Sequence, residues 1–279
     1  MEYRFQNQVS NGECISVARK TGFSSSNDIH RDYHPHYEIY FCKDHRAQNL
    51  TINGQSLYIN TPCVILSAPF SIHSMFPSDN EKQYLERYVV YFSENALSGF
   101  DSSILPPDLL KSFSNCIFSL NDDNCQELSM IIGHMTKDSV KETEKRLLLA
   151  LLLNTLQRAV PSERRISYGT ASYYIIEVLK YVHENLSRSI TSDDIAAAFH
   201  VSRAKLDRDF RRFVGRSVRN AIIDCRIACA CDMLASSRAT VKDIALSCGF
   251  ESEYYFYSFF KRKTGKTPLE WRKSSKNQL

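Results

Sequence analysis

The segment FRRFVGRS, at residues 210–217, is followed 50 residues later by the related segment FKRKTGKT, at residues 260–267. Corresponding positions share an aromatic residue, two basic residues, a glycine, and a serine or threonine. The correspondence extends upstream, where the tripeptide Asp-Ile-Ala occurs at residues 194–196 and again at residues 243–245. So many matches at nearly one offset indicate an internal repeat, which predicts two copies of one structural unit.

Each copy has the pattern of a short helix, a tight turn and a second helix. In the first copy the turn is expected at His200-Val201, and in the second copy Gly249 permits it. Residues suited to cap these helices are Thr191 or Ser192 and then Ser202 in the first copy, and Thr240 and then Ser252 or Glu251 in the second. Two short helices joined in this way predict the geometry that lays the second helix in the major groove of DNA.

The second copy carries the most diagnostic glycines, aromatic residues and proline of the chain. They are Asp243-Ile244-Ala245, Gly249-Phe250, Tyr255-Phe256, Phe260-Lys261, Gly265, Thr267-Pro268 and Trp271-Arg272. With these residues, the region from about 172 to 273 closely resembles the DNA-binding domain of the AraC/XylS family of transcription regulators. The resemblance implies seven helices, with a long one at about residues 217–235 that holds both helix-turn-helix units against one face of DNA. The chain departs from the family at Tyr254, where a small polar residue is more common.

Helical spacing predicts which side chains of the two recognition helices face inward. The apolar residues Leu206 and Phe210 in the first copy, and Phe256 and Phe260 in the second, are expected in the core. The side chains expected to contact DNA are Ser202, Arg203, Ala204, Lys205, Asp207, Arg208, Arg211 and Arg212 in the first copy, and Ser252, Glu253, Tyr254, Tyr257, Ser258, Lys261 and Arg262 in the second.

Arg208 is the best candidate for a base contact, as a bidentate donor to guanine, while Asp207 or Glu253 could accept a hydrogen bond from cytosine. The basic side chains expected to meet phosphates are Arg212, Arg216, Arg219, Lys261, Arg262 and Lys266. The charge distribution supports this placement. Residues 171–279 hold 19 Lys and Arg against 12 Asp and Glu, whereas residues 1–170 hold 16 against 19. A basic C-terminal region favours a phosphate-binding surface there, although such an excess alone also suits a solvated face.

Residues 33–92 have the pattern of antiparallel strands. Short segments rich in Tyr, Ile, Val and Phe, such as YEIYFC, QNLTI, QSLYI, PCVILS and RYVVYF, alternate with turn signals. Asn53-Gly54 between two of them is a strong signal for a two-residue hairpin. The pattern predicts a small antiparallel barrel or double sheet. With its motifs HPHYEIYF and PFSIH, the region resembles the cupin-type sensing barrel common at the N-terminus of this family.

Helical periodicity replaces the strand pattern after Pro106-Pro107. Helices are predicted within residues 108–118, 125–137 and 142–160. Between residues 147 and 156 the last of them has more leucines than one buried stripe requires. It therefore either offers an apolar face to a second copy of the chain or is a fully buried central helix.

The predicted fold class is α+β, in three parts. Residues 1–160 form a cupin-like antiparallel β-barrel with a helical pair, for ligand sensing and dimerisation. The polar segment PSERRISYG, residues 161–169, is the linker. Residues 170–279 form an all-α DNA-binding domain with two helix-turn-helix units.

Four polar residues of the barrel are the candidate ligand site. His34, His36 and Glu38 are expected to project from one face of a strand, because side chains alternate with a period of two, and His73 to join them. We expect them to line a pocket for a small molecule, a sugar among the candidates, without a metal or other cofactor. A metal-dependent cupin enzyme fused to a DNA-binding module, a regulator that needs no ligand, and a purely structural role for these residues are the alternatives.

Composition limits the class of protein. No run of 18 apolar residues occurs, the first residues lack the apolar segment of a secretory signal, and the nine cysteines form no regular framework. We therefore expect a cytoplasmic regulator without a membrane span and without enzymatic activity. Its expected partners are double-stranded DNA, a small-molecule effector, RNA polymerase and a second copy of the chain.

Overall fold

The computed structural model describes residues 14–24, 32–43, 48–59, 62–77, 83–113, 116–159, 165–167 and 173–276. The chain forms two compact units that divide between residues 171 and 172. The N-terminal unit combines antiparallel sheets with helices, and the described part of the C-terminal unit is helical. These observations confirm the α+β class.

Antiparallel strands form two sheets in the described part of the N-terminal unit. The strands are β1 (Ile15–Ser24), β2 (Tyr37–Cys42), β3 (Gln48–Ile52), β4 (Gln55–Ile59), β5 (Cys63–Ser67), β6 (His73–Pro77), β7 (Gln83–Phe92), β8 (Cys116–Ser119) and β9 (Arg165–Ser167). One sheet has the order β1-β7-β2-β5-β8-β9 and the other the order β4-β3-β6. Between these described strands, pairing gives two open sheets rather than a closed barrel.

The hairpin predicted at Asn53-Gly54 is confirmed. Both residues have positive φ, 50° and 85°, and Ile52 pairs with Gln55 across the turn. A turn of this kind requires positive φ, which asparagine and glycine adopt at low cost. The turn therefore fixes the register of β3 against β4.

Helices cover one side of the larger sheet. The N-terminal unit contains a short 3-10 helix (Glu94–Leu97), α1 (Leu109–Phe113), α2 (Asp122–Met135) and α3 (Glu142–Ala159). Ile39 and Phe92 from the sheet share one buried cluster with Leu128 of α2 and Leu152 of α3. In contrast, Leu151 of α3 is 48% exposed. The interpretation of α3 as a fully buried helix is therefore wrong.

The prediction of a helix throughout residues 108–118 is wrong in its second half. The helix α1 ends at Phe113, and Cys116–Ser119 form β8, which pairs with β5 through Ile117 and Ile65. A short apolar run fits a buried strand and a buried helix equally well, because it is too short to show a period. Here the pairing with β5 favours the strand. The strand β9 lies within the predicted linker and pairs with β8.

Seven helices form the described part of the C-terminal unit, as the family resemblance implied. They are α4 (Tyr173–Glu184), α5 (Ser192–Ala198), α6 (Arg203–Val214), α7 (Val218–Ser236), α8 (Val241–Ser247), α9 (Glu253–Thr264) and α10 (Pro268–Lys276). The caps are Thr191, Ser202, Thr240 and Ser252, whose hydroxyl oxygens each accept a hydrogen bond from the backbone N–H three residues later. The repeated sequence thus forms two repeated pairs, α5 with α6 and α8 with α9.

Gly249 allows the close turn between α8 and α9. Its φ is +80°, and a Cβ at this position would lie 2.1 Å from the carbonyl oxygen of Leu186, which follows α4. Gly265 at the end of α9 has a similar φ of +74° but no heavy atom within 4 Å of such a Cβ. The second turn therefore needs a glycine for its conformation and for the space beside it.

We expect Gly249→Ala to lower the free energy of unfolding of the C-terminal unit by about 3 kcal/mol or more, because the clash with Leu186 adds to the strain of positive φ. The control, Gly265→Ala, should cost only the strain, about 1–2 kcal/mol. Urea denaturation followed by the fluorescence of Trp271, the one tryptophan of the sequence, measures both. Equal losses in the two variants would contradict the steric role of Gly249.

Candidate nucleic-acid interface and polar cluster

The recognition helices α6 and α9 each bury one apolar stripe. Leu206 and Phe210 of α6, and Phe256 and Phe260 of α9, are all fully buried. The prediction of which residues face inward is therefore confirmed. Side chains on opposite faces of a helix point in opposite directions, so the burial of the apolar stripe turns the polar side chains outward.

Every side chain that the sequence predicted at the DNA surface is exposed or half-buried. Asp207, Ser252 and Tyr257 are half-buried. The exposed residues are Ser202, Arg203, Ala204, Lys205, Arg208, Arg211, Arg212, Glu253, Tyr254, Ser258, Lys261 and Arg262. The two helices thus present polar surfaces, and their contacts with DNA stay a prediction.

Ion pairs hold the first turns of α6. Arg203 lies 2.8 Å from Asp193 of α5, and Lys205 lies 2.5 Å from Asp209. Hydrogen bonds from Lys205 and from Tyr174 of α4 lower the pKa of Asp209. The sequence patterns did not indicate this role for Asp209, because it depends on a tyrosine from a different helix.

Arg208 is held more loosely than its neighbours. Its Nε lies 3.6 Å from a carboxylate oxygen of Asp209, and its side chain is 72% exposed. A surface ion pair of this length contributes little to stability. The guanidinium can therefore leave its intramolecular partner for another acceptor at small cost.

The surface of α9 combines aromatic and basic side chains. An open depression of about 470 Å³ is lined by Tyr254, Tyr257, Ser258, Lys261, Arg262 and Thr267. The guanidinium of Arg262 lies 4.4 Å from the centre of the Phe259 ring, which orients the basic group. Tyr254 is 79% exposed, so a large aromatic side chain projects where the family more often has a small one.

A buried carboxylate on α7 connects the two helix-turn-helix units. Asp224 pairs with Arg216, which follows α6, and lies 2.6 Å from Lys263 in the last turn of α9. The Arg216 side chain is only 11% exposed. Arg216 is therefore engaged in an internal ion pair, and its contact with phosphate stays a prediction.

Arg226 of α7 fixes the segment that follows α4. The Nε and Nη2 atoms of Arg226 donate to the carbonyl oxygens of Leu186 and Arg188, at 3.1 and 2.6 Å. The same guanidinium stacks over Phe250, just after the turn at Gly249. The helix α7 thus contacts the segment after α4 and the segment after α8. Such contacts are expected of the connecting helix that the resemblance implied.

Three of the four predicted ligand-binding residues converge in the N-terminal unit. One carboxylate oxygen of Glu38, Oε2, lies 2.8 Å from Nε2 of His34 and 3.0 Å from Nε2 of His73. Glu38 lies in β2 and His73 begins β6, whereas His34 and His36 precede β2. The prediction of one strand face carrying all of residues 34, 36 and 38 is therefore wrong, because the strand starts only at Tyr37.

His36 lies outside this cluster. Its ring stacks near that of His34, with the ring centres 6.4 Å apart, and its backbone oxygen is 2.9 Å from Nδ1 of His34. The backbone of His36 therefore supports the cluster, and its imidazole is not part of the contacts with Glu38.

Opposite charges within the cluster shift the pKa values of Glu38 and His73. Burial would raise the pKa of Glu38, but the charge of His73 and the hydrogen bonds of both histidines hold it well below its usual range. Burial would likewise lower the pKa of His73, but the charge of Glu38 raises it to about 9. The ion pair thus outweighs the cost of burial for both partners.

Three further polar residues surround the cluster, and sequence patterns alone did not select them. Burial raises the pKa of Asp32, whose backbone pairs with that of His73, and lowers the pKa of Lys20 on β1. The Lys20 ammonium donates to the hydroxyl of Tyr91, at 3.4 Å, and Tyr91 is the partner of Glu38 across β2 and β7. Only the strand register brings these side chains together.

Residues 195–274 match a family model described as a helix-turn-helix domain. The Msm operon regulatory protein of Streptococcus mutans is 27% identical over 244 residues, which are 86% of this chain and 85% of that protein. These matches agree with the resemblance to the AraC/XylS family of transcription regulators. The family resemblance given by the glycines, aromatic residues and proline of the second copy is thus confirmed.

Other relatives match mainly through part of their length. The xylose operon regulatory protein of Escherichia coli (strain K12) is 26% identical over 174 residues, 56% of this chain and 44% of that protein. The chain thus spans about half the length of the first curated relatives that it matches. These relatives are named as regulators, which agrees with the prediction that the chain is not an enzyme.

Among solved structures, ToxT from Vibrio cholerae is similar over 93% of this chain and 98% of its own, with 16% identity and a TM-score of 0.47. The DNA-binding domain of AdpA, in complex with a target DNA, covers 37% of this chain, with 28% identity and a TM-score of 0.36. Within the described ranges, no helix has the length and apolar character needed to span a bilayer.

Proposed function

We propose that this AraC/XylS-family chain binds duplex DNA with α6 and α9 together and thereby regulates transcription in the cytoplasm. The observation that carries the proposal is the pair of equivalent helix-turn-helix units, each with a buried apolar stripe and an exposed polar face. The buried charge pairs of Asp224 support it, because they tie both units to α7. By binding at a promoter, the protein would change the access of RNA polymerase.

Base contacts and phosphate contacts have different candidates on these helices. Arg208 is loosely paired and highly exposed, which suits a bidentate contact to guanine. Arg212 in the last turn of α6, and Lys261 and Arg262 in that of α9, suit phosphates. The remaining exposed residues of the predicted surface, Tyr254 among them, would contact base edges or the sugar-phosphate backbone.

Selection of bound duplexes from a random pool should return a site that spans two adjacent major-groove segments. Arg208→Ala should then relax one base-pair position, at a cost of about 1–3 kcal/mol. The control, Arg212→Ala, should weaken all sequences about equally and lower the salt slope by about 1. A wild-type protein without sequence preference, or an equal loss for Arg208→Ala on every site, would contradict the proposal.

The N-terminal unit, residues 1–160, is proposed to be a cupin-like sensing domain, connected by residues 161–169 to the DNA-binding domain at 170–279. Its effector would be a small polar molecule that contacts the cluster of His34, Glu38 and His73. Lys20 and Tyr91 beside the cluster add a donor and a hydroxyl, which suit the hydroxyl groups of a sugar. A relative named for the xylose operon supports this class of effector. The effector must bind one state of the protein more tightly than another to change DNA binding.

A panel of sugars and related metabolites, with xylose included, tests this control. At least one compound should change the affinity for the selected DNA site about fivefold or more, and Glu38→Gln should abolish the change. Glu144→Gln, an exposed carboxylate on α3, is the control that should respond like the wild type. If no compound in the panel has an effect, the regulator acts without a ligand and its N-terminal unit has another role.

The exposed leucines of α3 support a homodimer. Leu147 and Leu151 lie one helical turn apart and are 57% and 48% exposed. Leucines at this spacing form an apolar stripe that a second copy of the same helix would cover.

We expect sedimentation equilibrium to give a dimer for the wild type, and Leu151→Glu to weaken it at least about tenfold, because a buried leucine contributes about 1.5–3 kcal/mol. Met130→Glu on α2 is the control, since Met130 is 63% exposed and lies outside the stripe. A monomeric wild type at micromolar concentration, or an equal effect of both substitutions, would contradict the interface.

A further inference from the structure

We propose that His34, Glu38 and His73 bind a divalent transition-metal ion, of which Zn²⁺ is the representative. Two imidazole nitrogens and one carboxylate oxygen from these residues all lie within 4.8 Å of one another. The side chains of His34 and Glu38 are 4% and 8% exposed, and that of His73 is 13% exposed. Two histidines and one carboxylate are a known ligand set for Zn²⁺ in sites that keep a further coordination position open.

Backbone carbonyl groups orient both rings for this role. Nδ1 of His34 is 2.9 Å from the carbonyl oxygen of His36, and Nδ1 of His73 is 3.0 Å from that of Ser71. A carbonyl oxygen can only accept, so each Nδ1 carries the proton and donates it. When a metal ion displaces the proton from Nε2, the ring presents the lone pair of that atom, and metal-binding histidines almost always donate their second nitrogen in this way.

Both Nε2 atoms face the same oxygen of Glu38. Their distances to that oxygen are 2.8 and 3.0 Å, so each contact needs a proton or a cation between two electron-rich atoms. A single divalent ion satisfies both contacts at once. Ligand atoms about 2.0–2.1 Å from a tetrahedral ion are about 3.3 Å apart, so these two nitrogen–oxygen distances need to lengthen by only a few tenths of an ångström.

The chemistry of the ligands narrows the choice of ion. Imidazole suits Zn²⁺, Cu²⁺, Ni²⁺ and Fe²⁺ better than Mg²⁺ or Ca²⁺, which prefer oxygen ligands. The sequence analysis predicted a pocket without a metal. The three ligands come from the start of β6 and from the β2 region, which only the fold brings together.

The test uses the full-length chain, purified without an affinity tag, treated with EDTA and titrated with Co²⁺ in the absence of DNA. We expect one tightly bound equivalent with the visible spectrum of imidazole and carboxylate ligands, displaced by Zn²⁺. The absence of a thiolate charge-transfer band would separate this site from the nine free cysteines. Because no effector or DNA is present, the result is independent of the proposed regulation.

Glu38→Gln keeps the size of the side chain and should lower the affinity for Co²⁺ at least about tenfold, since even the loss of a hydrogen-bond partner of a ligand costs about 10–100-fold. His73→Ala should have at least the same effect, and His36→Ala, whose imidazole lies outside the cluster, should bind as the wild type does. Circular dichroism would confirm that each variant is folded. A wild type without this spectrum, or unchanged affinity in folded Glu38→Gln protein, would overturn the proposal and leave a proton-bridged cluster.

Discussion

The C-terminal unit depends on the burial of two recognition helices against one long helix. Phe256 and Phe260 of α9 share a buried cluster with Ile223 and Ile227 of α7. The carboxylate of Asp224 on the same helix adds charge pairs that reach the ends of α6 and α9. An unpaired buried charge is costly, so these pairs favour one arrangement of the helices and restrict their rotation. The polar faces of α6 and α9 follow from this arrangement.

A buried carboxylate also organises the centre of the N-terminal unit. Glu38 lies among histidines from two separate segments, and its charge is compensated by theirs. Burial of a charged carboxylate has a large desolvation free energy unless the group is paired or binds an ion. Lys20, Asp32 and Tyr91 surround Glu38, so polar and ionisable side chains are concentrated here. The interface between the sheet and the helices α2 and α3 is apolar in contrast.

Local sequence signals were accurate where one strong physical preference acted. The helix caps, the hairpin at Asn53-Gly54 and the strand segments are where the side chains and backbone preferences placed them. Errors occurred where two conformations have similar local energies. The run Cys116–Ser119 became a strand because β5 offered a pairing edge. The ion pair of Arg216 with Asp224 was not predicted from the sequence, because it depends on how the segment before α7 folds back on that helix.

The amino-acid sequence by itself determined the family resemblance, the repeated helix pairs and the inward faces of α6 and α9, since these depend on spacings within one segment. Only the tertiary structure decided which of His34 and His36 reaches Glu38, and that Lys20 and Tyr91 lie beside them. It likewise decided that one carboxylate on α7 serves both helix-turn-helix units. The physical reason is that contacts between distant segments depend on strand register and helix packing, which no local pattern of residues encodes.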